Sequence, residues 1–94
     1  MPRRKGAVDQ ATWRALSLAC ATREKFRCAL CGQRPPRGLQ AHHTVARSAG
    51  GIDSLENLVG LCPLCHEFVQ PRWRNYVRLF ADYVAGRAAR AAGG

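Results

Sequence analysis

Two C-x2-C pairs, Cys28/Cys31 and Cys62/Cys65, lie thirty residues apart in this 94-residue chain and constrain its fold more than any other feature. A chain of this length makes one domain with a thin core, and such domains commonly need a disulfide or metal staple. Two tight cysteine pairs are the pattern of a four-coordinate structural zinc site rather than of a disulfide scaffold. A redox role for either pair would require a thioredoxin-like βαβ pattern around it, and none is present. Zinc binds thiolates, which places the chain in a reducing, cytoplasmic setting. Arg3, Arg4 and Lys5 ahead of the apolar run 15–21 imitate a secretion signal, but Asp9 and Arg14 interrupt the pattern. No stretch approaches the length of a membrane span.

The formal charge is +9, from 15 Lys+Arg against 6 Asp+Glu, and thirteen of those bases are arginine. The planar guanidinium fork suits phosphate, so one reading is a polyanionic partner, most simply DNA. The other reading is a soluble surface built from an arginine-rich codon usage, and charge alone leaves the two open. Zinc-bound thiolates would offset about two units of the excess.

Along the chain, residues 1–8 read as a basic flexible tail and 9–94 as a single domain. Asp9 is a fair N-cap for a helix over 9–24, with Trp13, Leu16 and Cys20 as its buried stripe. The fifth cysteine, Cys20, reads as a small core residue rather than a further ligand. Cys28 to Gly32 forms a first knuckle, with Gly32 able to take positive φ. Residues 39–44 and 58–61 are short strand candidates, and 48–54, containing Gly50-Gly51, is a loop. A helix starts at the second knuckle and is limited by Pro71. A last helix over 71–87 has Trp73, Val77, Phe80 and Val84 as its core face, with Arg74 and Arg78 together on another face, and 88–94 frays.

The three histidines, His42, His43 and His66, all lie between the knuckles or directly beside the second. Neighbouring residues on a strand face opposite ways, so His42 and His43 serve one site only where the strand ends or twists, or where they differ in role. His66 follows Cys65 on a helix, and neighbours there are rotated by about 100°. It therefore points away from the zinc and toward the strand that carries the pair. The cluster reads as a metal or acid–base site, weighed against ordinary structural histidines.

Cys28-x2-Cys31, Ala41-His42-His43-Thr44, Gly50-Gly51, Glu56-Asn57-Leu58-Val59 and Leu61-Cys62-x2-Cys65-His66 occur in the order of the HNH endonuclease motif. Over residues 26–69 the chain resembles that family, whose fold is the small α+β ββα-metal domain, here with zinc knuckles and with helices flanking the motif on both sides. The resemblance implies that His43 is the general base and that Asn57 braces the loop holding it. It also implies that His42 and His66 bind a catalytic divalent metal. Some members carry another histidine four residues after the helix ligand. Gln70 stands there in this chain and is a poor ligand, so two protein ligands with water and phosphate are expected, suiting Mg²⁺ or Mn²⁺. Arg47, after the histidine pair, is a candidate contact for the scissile phosphate, with plain surface placement as its alternative. Arg74 and Arg78 are candidate DNA-backbone contacts. Asp53 is expected to shape the loop, and Glu56 and Glu67 to be solvated or capping.

The activity implied is metal-dependent hydrolysis of DNA phosphodiester bonds, leaving 5′-phosphate and 3′-hydroxyl ends. Small members of the family occur in phages and mobile elements, sometimes beside packaging genes, which makes phage packaging machinery a candidate partner. Two rivals share some of these features. A non-catalytic zinc module that binds DNA needs the cysteines and the charge but not the histidines and Asn57 in this order. A zinc-stabilised protein-interaction domain does not need the charge.

Overall fold

The computed structural model describes residues 7–93, with side chains over 7–86; most of the basic tail read at 1–8 therefore lies outside the described residues. Helix α1 spans Gln10–Arg23. It starts where the sequence places it, because the Asp9 carboxylate accepts from Thr12 N–H at 2.8 Å and satisfies one of the helix's unpaired donors. Within its expected stripe Cys20 is fully buried, and Trp13 and Leu16 are half-buried. After the helix, Lys25 and Phe26 both adopt positive φ, 56° and 61°, and reverse the chain toward the first knuckle. That knuckle is closed by Gly32 N–H to Cys28 O at 2.9 Å, with Gly32 at φ 77°.

Strands β1 (Gln40–His43) and β2 (Leu58–Leu61) form a two-stranded antiparallel sheet. Gln40 pairs with Leu61, Ala41 with Gly60, His42 with Val59 and His43 with Leu58. The second strand begins and ends where its apolar run does, and β1 is shorter than its candidate stretch. Leu58, Val59 and Leu61 are all 0% exposed, so β2 is covered on both faces. Ala29 N–H bonds Gly60 O at 2.9 Å and fastens the first knuckle alongside β2.

Helix α2 (Pro63–Val69) opens directly on the second knuckle, with Cys62 as N-cap and Pro63 in its first turn, where a missing N–H is harmless. The chain then departs from the sequence expectation. In place of one helix from Pro71, a 3-10 segment runs over Gln70–Tyr76, with Arg72 out of helical geometry at φ −112°, ψ 20°. Pro71 lacks an amide hydrogen and obstructs the preceding turn, so the regular ladder resumes only with α3 (Val77–Gly93). The fraying expected over 88–94 falls on residues whose side chains lie outside those described. The expected core face survives this shift: Phe80 and Val84 are buried, and Trp73 and Val77 are half-buried. The core joins Val59, Leu61, Val69, Phe80 and Val84 to Cys28 and Cys62, so the knuckles are built into it.

One structural element was invisible in the pattern of residues. Glu24, at the end of α1, is 0% exposed. Its carboxylate accepts from Gly60 N–H at 3.0 Å and from Arg23 Nη2 at 2.9 Å. Arg23 also donates to the carbonyl oxygens of Leu55 and Leu58. This ion pair ties the last turn of α1 to β2 and saturates nearly every polar atom it buries. Burial, followed by the neighbouring Glu24 charge, pushes the Cys20 thiol up to about 12, so Cys20 remains a neutral core residue. Glu24→Ala strands the Arg23 charge and the Gly60 amide, and is expected to lower the unfolding free energy of the zinc-loaded protein by about 3 kcal/mol. Urea denaturation checks this: an unchanged midpoint would show that the pair contributes nothing, and Glu24→Gln, which still accepts from Gly60, should lose less.

Candidate functional site

The four knuckle thiols converge as the spacing requires. Cys28, Cys31, Cys62 and Cys65 place their sulfurs within 4.8 Å of one another, with Cys31 and Cys62 Sγ 3.8 Å apart. A tetrahedron of sulfurs each about 2.3 Å from zinc has edges of about 3.8 Å, so the donor set fits that ion. Backbone N–H groups point at two of the sulfurs, while burial raises the Cys65 thiol. Leu30 N–H points at Cys28 Sγ and Cys65 N–H at Cys62 Sγ, each at 3.4 Å. Although burial opposes ionisation, backbone N–H groups of Cys31, Cys62 and Leu30 bring the Cys28 thiol down to about 7. Cys20 is not part of the cluster.

All three histidines line a cleft of about 420 Å³, together with Trp13, Arg47, Gln70 and Trp73. The strand ends at His43, which is how adjacent residues that face opposite ways reach one cleft. His42 turns toward α2 and α3: its ring meets His66 edge-on at 5.4 Å and Phe80 at 5.7 Å. His43 turns toward α1 and stacks parallel on Trp13, centroids 5.4 Å apart. His66, rotated away from the thiol before it, faces His42 as its helical position dictates.

The electrostatics of the pair facing each other are those of neutral imidazoles. Burial first, then the neighbouring histidines, push His42 down to about 4, and burial with His43 lowers His66. His42 is buried and its Nε2 has no hydrogen-bond partner among the described residues. His66 Nδ1 meets Gln40 Oε1 at 2.6 Å; a carbonyl oxygen only accepts, so Nδ1 carries the hydrogen and the lone pair resides on Nε2. A buried imidazole nitrogen without a partner beside a second oriented imidazole suits a divalent cation.

The loop between the strands is held by Asn57. Its Oδ1 accepts from Val45 N–H at 2.9 Å, and its Nδ2 donates to Val45 O at 3.1 Å and Ile52 O at 3.0 Å. Gly51 packs against the same turn so closely that a Cβ there would lie 1.8 Å from Val45 O. Arg47 sits on this loop with its side chain 49% exposed, over the Trp13 ring at 4.9 Å and beside Asp53 at 3.2 Å. Arg74 and Arg78 are both exposed, but the kink places one on the 3-10 segment and the other on α3. The Arg74 guanidinium covers the Trp73 ring at 4.6 Å.

Two residues of this site escaped the sequence reading. Asp53 is not merely a loop former: it is 7% exposed, and its Oδ1 lies 2.8 Å from His43 Nε2. Nothing local in the sequence announces that contact. Gln40 did leave a signal, since it stands two residues before His42 on a strand and so shares its face.

Residues 28–70 match the family model for HNH endonuclease. The chain is also similar to the type IV methyl-directed restriction enzyme EcoKMcrA of Escherichia coli (strain K12), at 39% identity over 46 residues, covering 42% of this chain and 17% of that enzyme. The chain therefore spans less than a fifth of the length of that curated relative.

The thiol cluster yields a direct expectation. Purified protein should contain about one tightly held zinc per chain, and Cys65→Ser should unfold the domain or leave it insoluble, because zinc supplies folding energy in sites of this kind. Elemental analysis and thermal melting check this; a zinc-free protein with an unaltered melting curve would refute a structural role.

Proposed function

We propose that this chain, whose residues 28–70 match the HNH endonuclease family model, hydrolyses phosphodiester bonds in DNA, with His43 as general base and with Mg²⁺ or Mn²⁺ held by His42 and His66. The observation that carries this reading is the convergence of all three histidines of the chain on one cleft beside the thiol cluster. Each role has a physical fit. His42 and His66 are neutral and adjacent, and Gln40 orients the second, so both can present lone pairs to a cation without first losing a proton. Such a metal, when bound, supplies Lewis-acid stabilisation of phosphate charge and of the leaving oxygen. Gln70 lines the cleft as a weak polar neighbour and is given no ligand role.

His43 accepts a proton from the water that attacks phosphorus, a task that a neutral imidazole can perform. Asn57 keeps the turn after β1 closed and thereby fixes where His43 sits. Arg47, half-exposed on the rim of the cleft, contacts the phosphate being cut. The excess of positive charge draws the duplex in, and the DNA backbone runs past Arg74 and Arg78. One such site nicks one strand. The thiolates need a reducing, cytoplasmic setting. Among the described residues no helix is long and apolar enough to cross a membrane.

His43→Ala should reduce nicking of supercoiled plasmid by roughly 100-fold or more, while zinc content and circular dichroism stay as in the parent protein. Assays with each divalent metal and with chelator complete the test. A folded His43→Ala protein that nicks at the parental rate would remove His43 from the mechanism; DNA binding without nicking by the parent protein would favour a binding module.

The arginines are tested by binding. Arg74→Ala combined with Arg78→Ala should weaken DNA binding for all sequences alike and flatten its salt dependence by about one unit of slope per lost contact. Turnover at saturating DNA should change far less. Titrations at several salt concentrations check this, and parental affinity and slope in the double variant would move the DNA track to another face.

A further inference from the structure

His43 is held by side chains other than His42, Asn57 and His66, the residues given roles by the family resemblance. The Asp53 side chain is 3% exposed and its Oδ1 lies 2.8 Å from His43 Nε2. The same carboxylate receives Arg47 Nε at 3.2 Å, Arg47 Nη2 at 3.4 Å and Val8 N–H at 3.4 Å. An ionised carboxylate only accepts hydrogen bonds, so the short contact requires the hydrogen to be on His43 Nε2. Arg47 Nε is 3.3 Å from that nitrogen but is itself a donor, and its hydrogen bond therefore goes to Asp53. The Trp13 ring lies only 2° from parallel to the imidazole, and turning His43 out of that plane gives up the stack.

We propose that Asp53 is a positioning residue for His43: it selects the tautomer with hydrogen on Nε2, making Nδ1 the nitrogen that takes the proton from the attacking water, while Trp13 fixes the plane of the ring. The proposal rests on the reading of His43 as base. In the step it serves, a water O–H bond breaks and its proton goes to Nδ1. The water oxygen forms a new bond to phosphorus as the P–O3′ bond breaks, and the leaving oxygen takes a proton from solvent. The imidazolium so formed donates from both nitrogens, and the Asp53 charge is already in place to stabilise it. Without Asp53 the neutral ring divides between two tautomers, and one of them presents N–H to the water. Trp13 and Val8 lie outside residues 28–70, so this arrangement draws on the N-terminal helix and its lead-in.

The tautomer can be read without turnover. Long-range proton–nitrogen NMR of ¹⁵N-labelled, zinc-loaded protein, with no other metal added, should show neutral His43 carrying hydrogen on Nε2. Asp53→Asn, whose amide can donate as well as accept, should shift that signal toward the other tautomer. Its kcat for plasmid nicking should fall roughly 10- to 1,000-fold, with KM within about twofold of the parent. Hydrogen on Nδ1 in the parent protein overturns the proposal even if the variant fails to fold, as does an Asp53→Asn protein with parental kcat. The failure of the underlying reading looks different: His43→Ala would then retain turnover whatever tautomer the parent shows.

Discussion

Four sulfurs within 4.8 Å of one another join the turn that follows α1 to the first turn of α2. Cys28 and Cys62 are also members of the apolar core, packed with Val59, Leu61 and Phe80, so the clamp and the core are a single body. With the two ends pinned, the thirty residues between Cys31 and Cys62 must double back, and a short antiparallel pair is what that length accommodates. The histidine positions follow from the clamp. His43 ends the first strand of the pair, and His66 is one helical step past a thiol, where rotation aims it at β1 instead of at the sulfurs.

Two buried acids extend this control to the rest of the chain. Glu24 brings the end of α1 onto the amide of Gly60, and Asp53 brings the loop after Gly50-Gly51 back onto His43. Each is accompanied by an arginine, Arg23 or Arg47, which is what makes an interior carboxylate tolerable. Of the six acids in the chain, these two lie inside, and Asp9, Glu56, Glu67 and Asp82 are exposed, the first of them as a helix cap. Because each buried acid is paired with an arginine, their burial leaves the net positive charge as the formal balance gives it.

What was legible in the sequence was what local rules govern. The Asp9 cap, the bounds of β2 and the α1 stripe through Cys20 all follow from hydrogen-bonding chemistry or apolar period within a few residues. The convergence of the thiols was legible because metal geometry ties spacing to distance. The Glu24 and Asp53 contacts were not, because their partners are 36 and 10 residues away and meet them only in the folded chain. The kink was half legible. Pro71 announced that α2 must stop, but not where the regular helix resumes, after Tyr76, whose ring stacks on Phe80 at 5.6 Å.

The site divides in the same way. The four knuckle thiols and all three histidines lie within residues 28–70, the segment that matches the HNH family model. The side chains that set the planes and surroundings of those histidines do not: Trp13 stacks on His43 from α1, Phe80 meets His42 from α3, and Trp73 closes the cleft from the 3-10 segment. The phosphodiester chemistry proposed for this chain asks for donor atoms at fixed separations, and a short clamped hairpin brings its histidines and thiols to such separations. It asks as well that each ring be held in one orientation, and a hairpin of four-residue strands has too little surface to do this alone. The flanking helices supply that surface, and substitutions in them should alter the geometry of the cleft while leaving the motif unchanged.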